Sequence, residues 1–153
     1  MSRPFALLVL ISGILLMLGM PAAIAAKDCA VVNGSASVVF DPTVGGFVGP
    51  VDLDGDGAPD ATSTATVLTI VPSEDGTLHA VTSHVVVLNS GAMFTTLDRA
   101  ILSPSDTPGL YRLNTDAPIT SGASGKLKIH GNVHLIEGWA ELDVHGRICG
   151  LAI

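Results

Sequence analysis

Lys126-Leu-Lys-Ile-His-Gly-Asn-Val-His-Leu-Ile-Glu-Gly-Trp-Ala-Glu-Leu-Asp-Val-His-Gly-Arg-Ile148 alternates apolar and polar side chains on both sides of Glu137-Gly138. A period of two sends successive side chains to opposite faces of an extended chain. With Glu137-Gly138 as the turn, Leu135 faces Ala140, Val133 faces Leu142, Gly131 faces Val144 and Leu127 faces Ile148. The other face pairs His134 with Glu141, Asn132 with Asp143, His130 with His145 and Lys128 with Arg147. One apolar and one polar face is the pattern of an antiparallel sheet with one side on a core and one in water. A slip of one residue mixes the two faces, so the pattern specifies the hairpin.

Working outward, similar runs recur over Cys29 to Val32, Ser35 to Phe40, Ala61 to Val71, Thr77 to Leu88, Ala92 to Leu102 and Gly109 to Thr115. Valine and threonine dominate these runs, and Gly, Pro, Asp, Asn and Ser dominate the breaks. No stretch repeats at the helical period. The expected fold is all-β, a single antiparallel β-barrel, with a β-sandwich as the alternative. Asn33-Gly34 reads as a tight turn and, with Ser35, as a sequon. Pro72 to Gly76 reads as a hairpin turn, Ser103 to Gly109 as an irregular loop, and Val44 to Asp60 as a Gly-rich loop.

The N-terminal residues explain the high overall hydropathy. Arg3 precedes an apolar run from Phe5 to Met20, Pro21 follows, and Ala23 to Ala26 offers small residues for cleavage. Residues 1–26 read as a secretory signal peptide and residues 27–153 as one β domain, secreted or periplasmic and free of the membrane after cleavage. The run is shorter than the roughly 20 residues a spanning helix needs. Fourteen acids stand against seven Lys and Arg, a formal charge of −7. That balance argues against nucleic acid or an anionic membrane as partner. What remains is a protein or small-molecule ligand.

The two cysteines, Cys29 and Cys149, sit near the ends of the mature chain. In an oxidising compartment they are expected to pair, closing a loop long enough to contribute roughly 4–5 kcal/mol in the chain-entropy model. Neither lies in a Cys-x-x-Cys motif or beside a base.

Asp52-Leu-Asp-Gly-Asp-Gly-Ala-Pro-Asp60 places four carboxylates at alternating positions. Asp52, Asp54 and Asp56 take positions 1, 3 and 5 of a calcium loop, Gly57 position 6, the Ala58 carbonyl position 7 and Asp60 position 9. Ser63 stands at position 12 in place of the bidentate Glu of an EF-hand, and Pro59 favours an extended exit. The expected cofactor is calcium, bound in roughly the 10⁻⁴–10⁻³ M range of extracellular modules.

A second candidate site is the polar face of the quoted hairpin. His130, His145 and His134 are candidate ligands for a transition metal, but a solvated strand face with favourable His–Glu pairing is the preferred reading, because no metal-ligand spacing is fixed by the sequence. His79 and His84 fall on opposite faces of one strand and carry no motif. Asp98-Arg99 reads as an ion pair on an exposed strand. There is no Gly-x-Ser-x-Gly elbow, phosphate-cradling glycine loop or His-Glu-x-x-His.

The acidic loop resembles the Asp-x-Asp-x-Asp-Gly-x-x-Asp loops of integrin-type and bacterial propeller repeats. Phe94 to Arg99, Gly109 to Leu113, Ser121 to Leu127 and His130-Gly131 follow the order of elements in small secreted bacterial β-barrels similar to the allene oxide cyclase and dirigent-like group. Those proteins carry an Ala-x-Gly-x-Leu-x-x-x-Gly turn between late strands, shortened here to Ser-Gly-Ala-Ser-Gly. The resemblance implies a barrel and transfers no catalytic residue. The expectation is a secreted calcium-binding β module with a binding or structural role. The alternative is a small barrel enzyme of cyclase or lyase type with an apolar cavity.

Overall fold

The structure, a computed structural model, describes residues 28–153. The expected signal peptide at residues 1–26 lies outside them. Eight strands follow one another: β1 (Cys29–Asp41), β2 (Gly46–Asp52), β3 (Ala61–Pro72), β4 (Leu78–Leu88), β5 (Met93–Pro104), β6 (Leu110–Ser121), β7 (Ser124–His134) and β8 (Trp139–Cys149). Each pairs antiparallel with the next, and β8 returns to β1, so the sheet closes into a barrel. Closure leaves no sheet edge along the seam, and this decides between barrel and sandwich.

The period of two does the sorting. On β5, Phe94, Thr96, Asp98, Ala100 and Leu102 are buried, while Leu97, Arg99 and Ile101 are exposed. On β7 and β8, Leu127, Ile129, Val133, Ala140, Val144 and Ile148 point inward. These side chains and their counterparts from the other strands form one core inside the barrel.

Three local expectations are corrected. Asn33-Gly34 is not a turn, since β1 runs unbroken through it. A Cβ at Gly34 would lie 2.0 Å from the Asp52 carbonyl oxygen, so glycine serves close strand approach rather than reversal. The segment after Val44 is not all loop. Gly46 to Asp52 forms β2, even though Gly46, Gly49 and Pro50 punctuate it. At Gly46 a Cβ would meet the Ala65 carbonyl oxygen at 1.9 Å, again a demand of packing. Lastly, the β7–β8 register is displaced by two residues. Val133 pairs with Ala140, Gly131 with Leu142 and Ile129 with Val144. The reversal uses four residues, Leu135 to Gly138, closed by the Gly138 N–H donating to the His134 carbonyl at 2.8 Å, with Gly138 at φ +71°. An even displacement keeps every side chain on its expected face.

The barrel has one closed end. There β1 begins, β8 ends, and the β2–β3, β4–β5 and β6–β7 connections cross over Leu53, Phe94, Val32, Leu88 and Ile148, all buried. Cys29 and Cys149, paired across the β1–β8 seam, form a disulfide at this end. The bond fits an extracellular or otherwise oxidising compartment. At the opposite end Phe47, Val67, Leu113 and Leu135 are only half-buried and Ile70 is 46 % exposed. A register shift between Val67 and Thr69 inserts Leu68 and re-aims Ile70 inward, opposite Ala80.

Candidate functional site

An eight-stranded barrel is just wide enough to be filled by side chains or to hold one small ligand. Here the interior side chains stop short of filling it. A cavity of about 100 Å³ runs from the open end to Leu53 and Phe94. A single water needs only ~10–15 Å³ of such volume. The walls from β7, β8, β1 and β2 are apolar, including Leu127, Ile129, Leu142, Val144, Val38 and Phe47. On the side formed by β3 to β6 the cavity meets Ser63, Thr82, His84, Thr96, Asp98 and Thr115.

The centre of that polar wall is Asp98, 2 % exposed. Its Oδ2 accepts from the Thr82 hydroxyl at 2.9 Å and lies 3.1 Å from His84 Nε2, while Oδ1 accepts from the Thr96 hydroxyl at 3.0 Å. Strand pairing supplies the geometry. Thr82 sits opposite Asp98 and His84 opposite Thr96 on adjacent strands, so all four side chains point into the same two rungs of the interior. A buried carboxylate is tolerated only when donors surround it, and here two hydroxyls donate to it with an imidazole nitrogen close by. With Asp98 Oδ2 3.1 Å from Nε2, the carboxylate favours the neutral tautomer that carries its proton on Nε2 and its lone pair on Nδ1. Among the described residues, nothing hydrogen-bonds Nδ1. Among those residues no fully buried side-chain nitrogen or oxygen lacks a partner, so the ring nitrogens of His84, Nδ1 included, keep some access to the cavity that the side chain lines. The Ser63 hydroxyl is in the same position, one rung away, since Ala65 pairs with His84 and Ser63 with Val86.

His84 had no motif in the sequence, and Asp98 was expected to pair with Arg99 at the surface. Instead Arg99 points outward and Asp98 inward. The signal was present in the alternation. Thr82 and His84 share a face with Ala80, Val86 and Leu88, and Asp98 shares one with Phe94, Ala100 and Leu102. Two polar interruptions of adjacent apolar faces mark a buried pair.

The acidic loop lies over the closed end. Carboxylate oxygens of Asp52, Asp54 and Asp60 come within 4.8 Å of one another. Asp56 is not in that group; its Oδ1 accepts the Ala58 N–H at 2.7 Å, which is how Ala58 enters the loop. Backbone donors offset the crowding. Gly55 and Gly57 N–H groups donate to the two Asp52 oxygens at 2.6 and 2.9 Å, and the Leu53 N–H donates to Asp60 Oδ2 at 2.8 Å. Gly55 and Gly57 sit at φ +84° and +89°, a region few other residues adopt. The donor set is all hard oxygen, the chemistry that suits calcium or magnesium. The same loop turns Leu53, 1 % exposed, down into the cavity floor.

The histidines of the last hairpin do not converge as a three-ligand site. His130 and His145 stack with ring centroids 5.3 Å apart. His145 Nδ1 is already 2.7 Å from Asn33 Oδ1, and His130 Nε2 lies 3.5 Å from Asp143. His134 is four residues along β7, about 13 Å at the strand rise. It is buried against Trp139 and accepts the Glu137 N–H on Nδ1. Comparisons with protein-family models, with curated proteins and with solved structures found no match to this chain.

Proposed function

We propose that the chain is a secreted binding barrel that takes one small, uncharged, largely apolar ligand in its interior. The observation that carries this reading is the cavity itself: apolar walls, one open end, and a few convergent polar groups around His84 and Asp98. Asp98 disfavours an anion in so apolar a space, and a cation would find only this one carboxylate, already accepting from two hydroxyls with His84 beside it. The polar wall therefore suits a neutral group able to hydrogen-bond His84 Nδ1 or the Ser63 hydroxyl.

Titration with cyclohexanone, a compact neutral probe, tests the reading through side-chain methyl resonances. Shifts are expected at Val86, Leu102, Leu142 and Val144, and are expected to be lost in Ala80→Leu, which fills the cavity. Shifts confined to outward residues such as Val85 and Val87 would reject the interior site.

Calcium belongs to the same proposal as a brace. An ion held by Asp52, Asp54 and Asp60 would fix the segment that carries Leu53, and binding to the folded state alone raises stability by mass action. At 100 times the dissociation constant the gain is ~2.7 kcal/mol. A calcium-dependent rise in the unfolding midpoint is expected, reversed by chelator and absent in the double variant Asp52→Asn, Asp54→Asn. An unchanged midpoint in millimolar calcium would make the loop an acidic turn held by its own backbone donors.

A further inference from the structure

We infer that the His84–Asp98 pair is an acid–base site, with His84 Nδ1 as the general base that takes a proton from carbon next to a carbonyl in a compact, neutral ligand. This rests on the ligand-binding reading of the cavity and adds chemistry to it. The argument is geometric. Nε2 faces Asp98 Oδ2 at 3.1 Å, where the carboxylate favours a proton, and Nδ1, on a ring that lines the cavity, has no hydrogen-bond partner among the described residues. Asp98 is itself held by Thr82 and Thr96 at 2.9 and 3.0 Å, which keeps it in place to stabilise the imidazolium that forms. A pair serving stability alone has no need of a ring nitrogen left open to a cavity.

The step balances within the site. The Cα–H bond breaks, its proton passes to Nδ1, and its electron pair moves through the carbonyl carbon to the oxygen as an enolate. A hydroxyl donor for that oxygen stands at Ser63 on the neighbouring strand. Return of the proton from Nδ1 to the same carbon gives exchange, and return to a conjugated carbon gives isomerisation. No oxidant, reductant or metal is consumed. His84 touches the reacting atoms and is the catalytic residue; Asp98 is a positioning residue.

The groups facing His84 are few. β3 presents Ser63 and Ala65, β4 presents Thr82 and Val86, and β5 presents Thr96 and Asp98. Among the residues lining the cavity, His84 and Asp98 are the titratable ones. General bases contribute roughly 10²–10⁴-fold.

The test is deuterium exchange at the α-carbons of cyclohexanone in D₂O, followed by proton NMR on the folded, disulfide-bonded protein. The native chain is expected to exceed His84→Gln by at least about 100-fold. Gln retains an N–H for Asp98 and keeps the buried carboxylate partnered, and circular dichroism of that variant verifies the fold. Asp98→Asn is expected to slow exchange at saturating probe while leaving the methyl shifts of the bound probe unchanged, because the imidazolium loses its carboxylate. A purely structural Asp98 would lose bound-probe shifts and exchange together. Methyl shifts showing a bound probe, with equal exchange in native and His84→Gln protein, would overturn acid–base chemistry and leave the binding reading standing. Absence of binding overturns both.

Discussion

Loss of the Cys29–Cys149 bond, in the double variant Cys29→Ser, Cys149→Ser, is expected to cost about 4–5 kcal/mol, the largest effect of any single bond in the chain. The two residues are 120 apart in sequence yet directly paired across the β1–β8 seam. All other strand pairs join consecutive strands, whose connections are short. The seam alone must bring the two ends together, and the closure entropy of that long loop falls on it. Oxidation removes most of that cost from the unfolded ensemble. At ~4 °C per kcal/mol for a domain of this size, the midpoint should drop by roughly 15–20 °C. Thermal unfolding with and without reductant checks this directly. A change of only a few degrees would mean that seam hydrogen bonds and Val32, Val144 and Ile148 suffice to hold the barrel closed.

Phe94→Ala is expected to cost about 3–5 kcal/mol. Phe94 is fully buried at the closed end and forms part of the cavity floor. Removing the ring loses its transfer free energy and leaves a void, and a closed barrel wall has little freedom to collapse into it. Phe40 makes the control. It is 46 % exposed and meets Phe47 edge-on at a centroid distance of 5.6 Å, so Phe40→Ala should cost much less. Urea unfolding of both variants at constant slope provides the comparison. Equal costs would show that the floor relaxes around the missing ring, and would separate Phe94 from the cavity. With the expected loss, the enlarged cavity should admit ligands that the native chain rejects.

How much of this was legible from residues alone depends on how local each signal is. Alternation through Lys126 to Ile148 marked the correct faces, because faces depend only on a period of two. It did not mark the partners, because those depend on whether the turn uses two residues or four. Cysteines near both ends of the mature chain pointed to closure. Asp52, Asp54 and Asp60 lie within nine residues and could be read as a group, although Asp56 turned to Ala58 instead. β2 escaped because Gly46, Gly49 and Pro50 look like breakers, and only the neighbouring Ala65 and Ser37 backbones explain why side chains are excluded there. The His84–Asp98 pair escaped for a similar reason. Its members lie on different strands and carry no motif, so neither residue signals the other until β4 and β5 are laid side by side.

The disulfide and the hydrogen bond beside it, from the Gly150 N–H to the Asp28 carbonyl at 2.9 Å, make residues 28 and 150 neighbours. With every connection joining adjacent strands, the barrel is physically a ring of eight antiparallel strand pairs, seven joined by hairpins and one by the seam, and its starting strand is a matter of synthesis rather than structure. A circular permutant that joins 28 to 150 by a short linker and opens the chain between Ser105 and Gly109 would keep every strand pair and carry its new ends at the open rim, beside the mouth of the cavity.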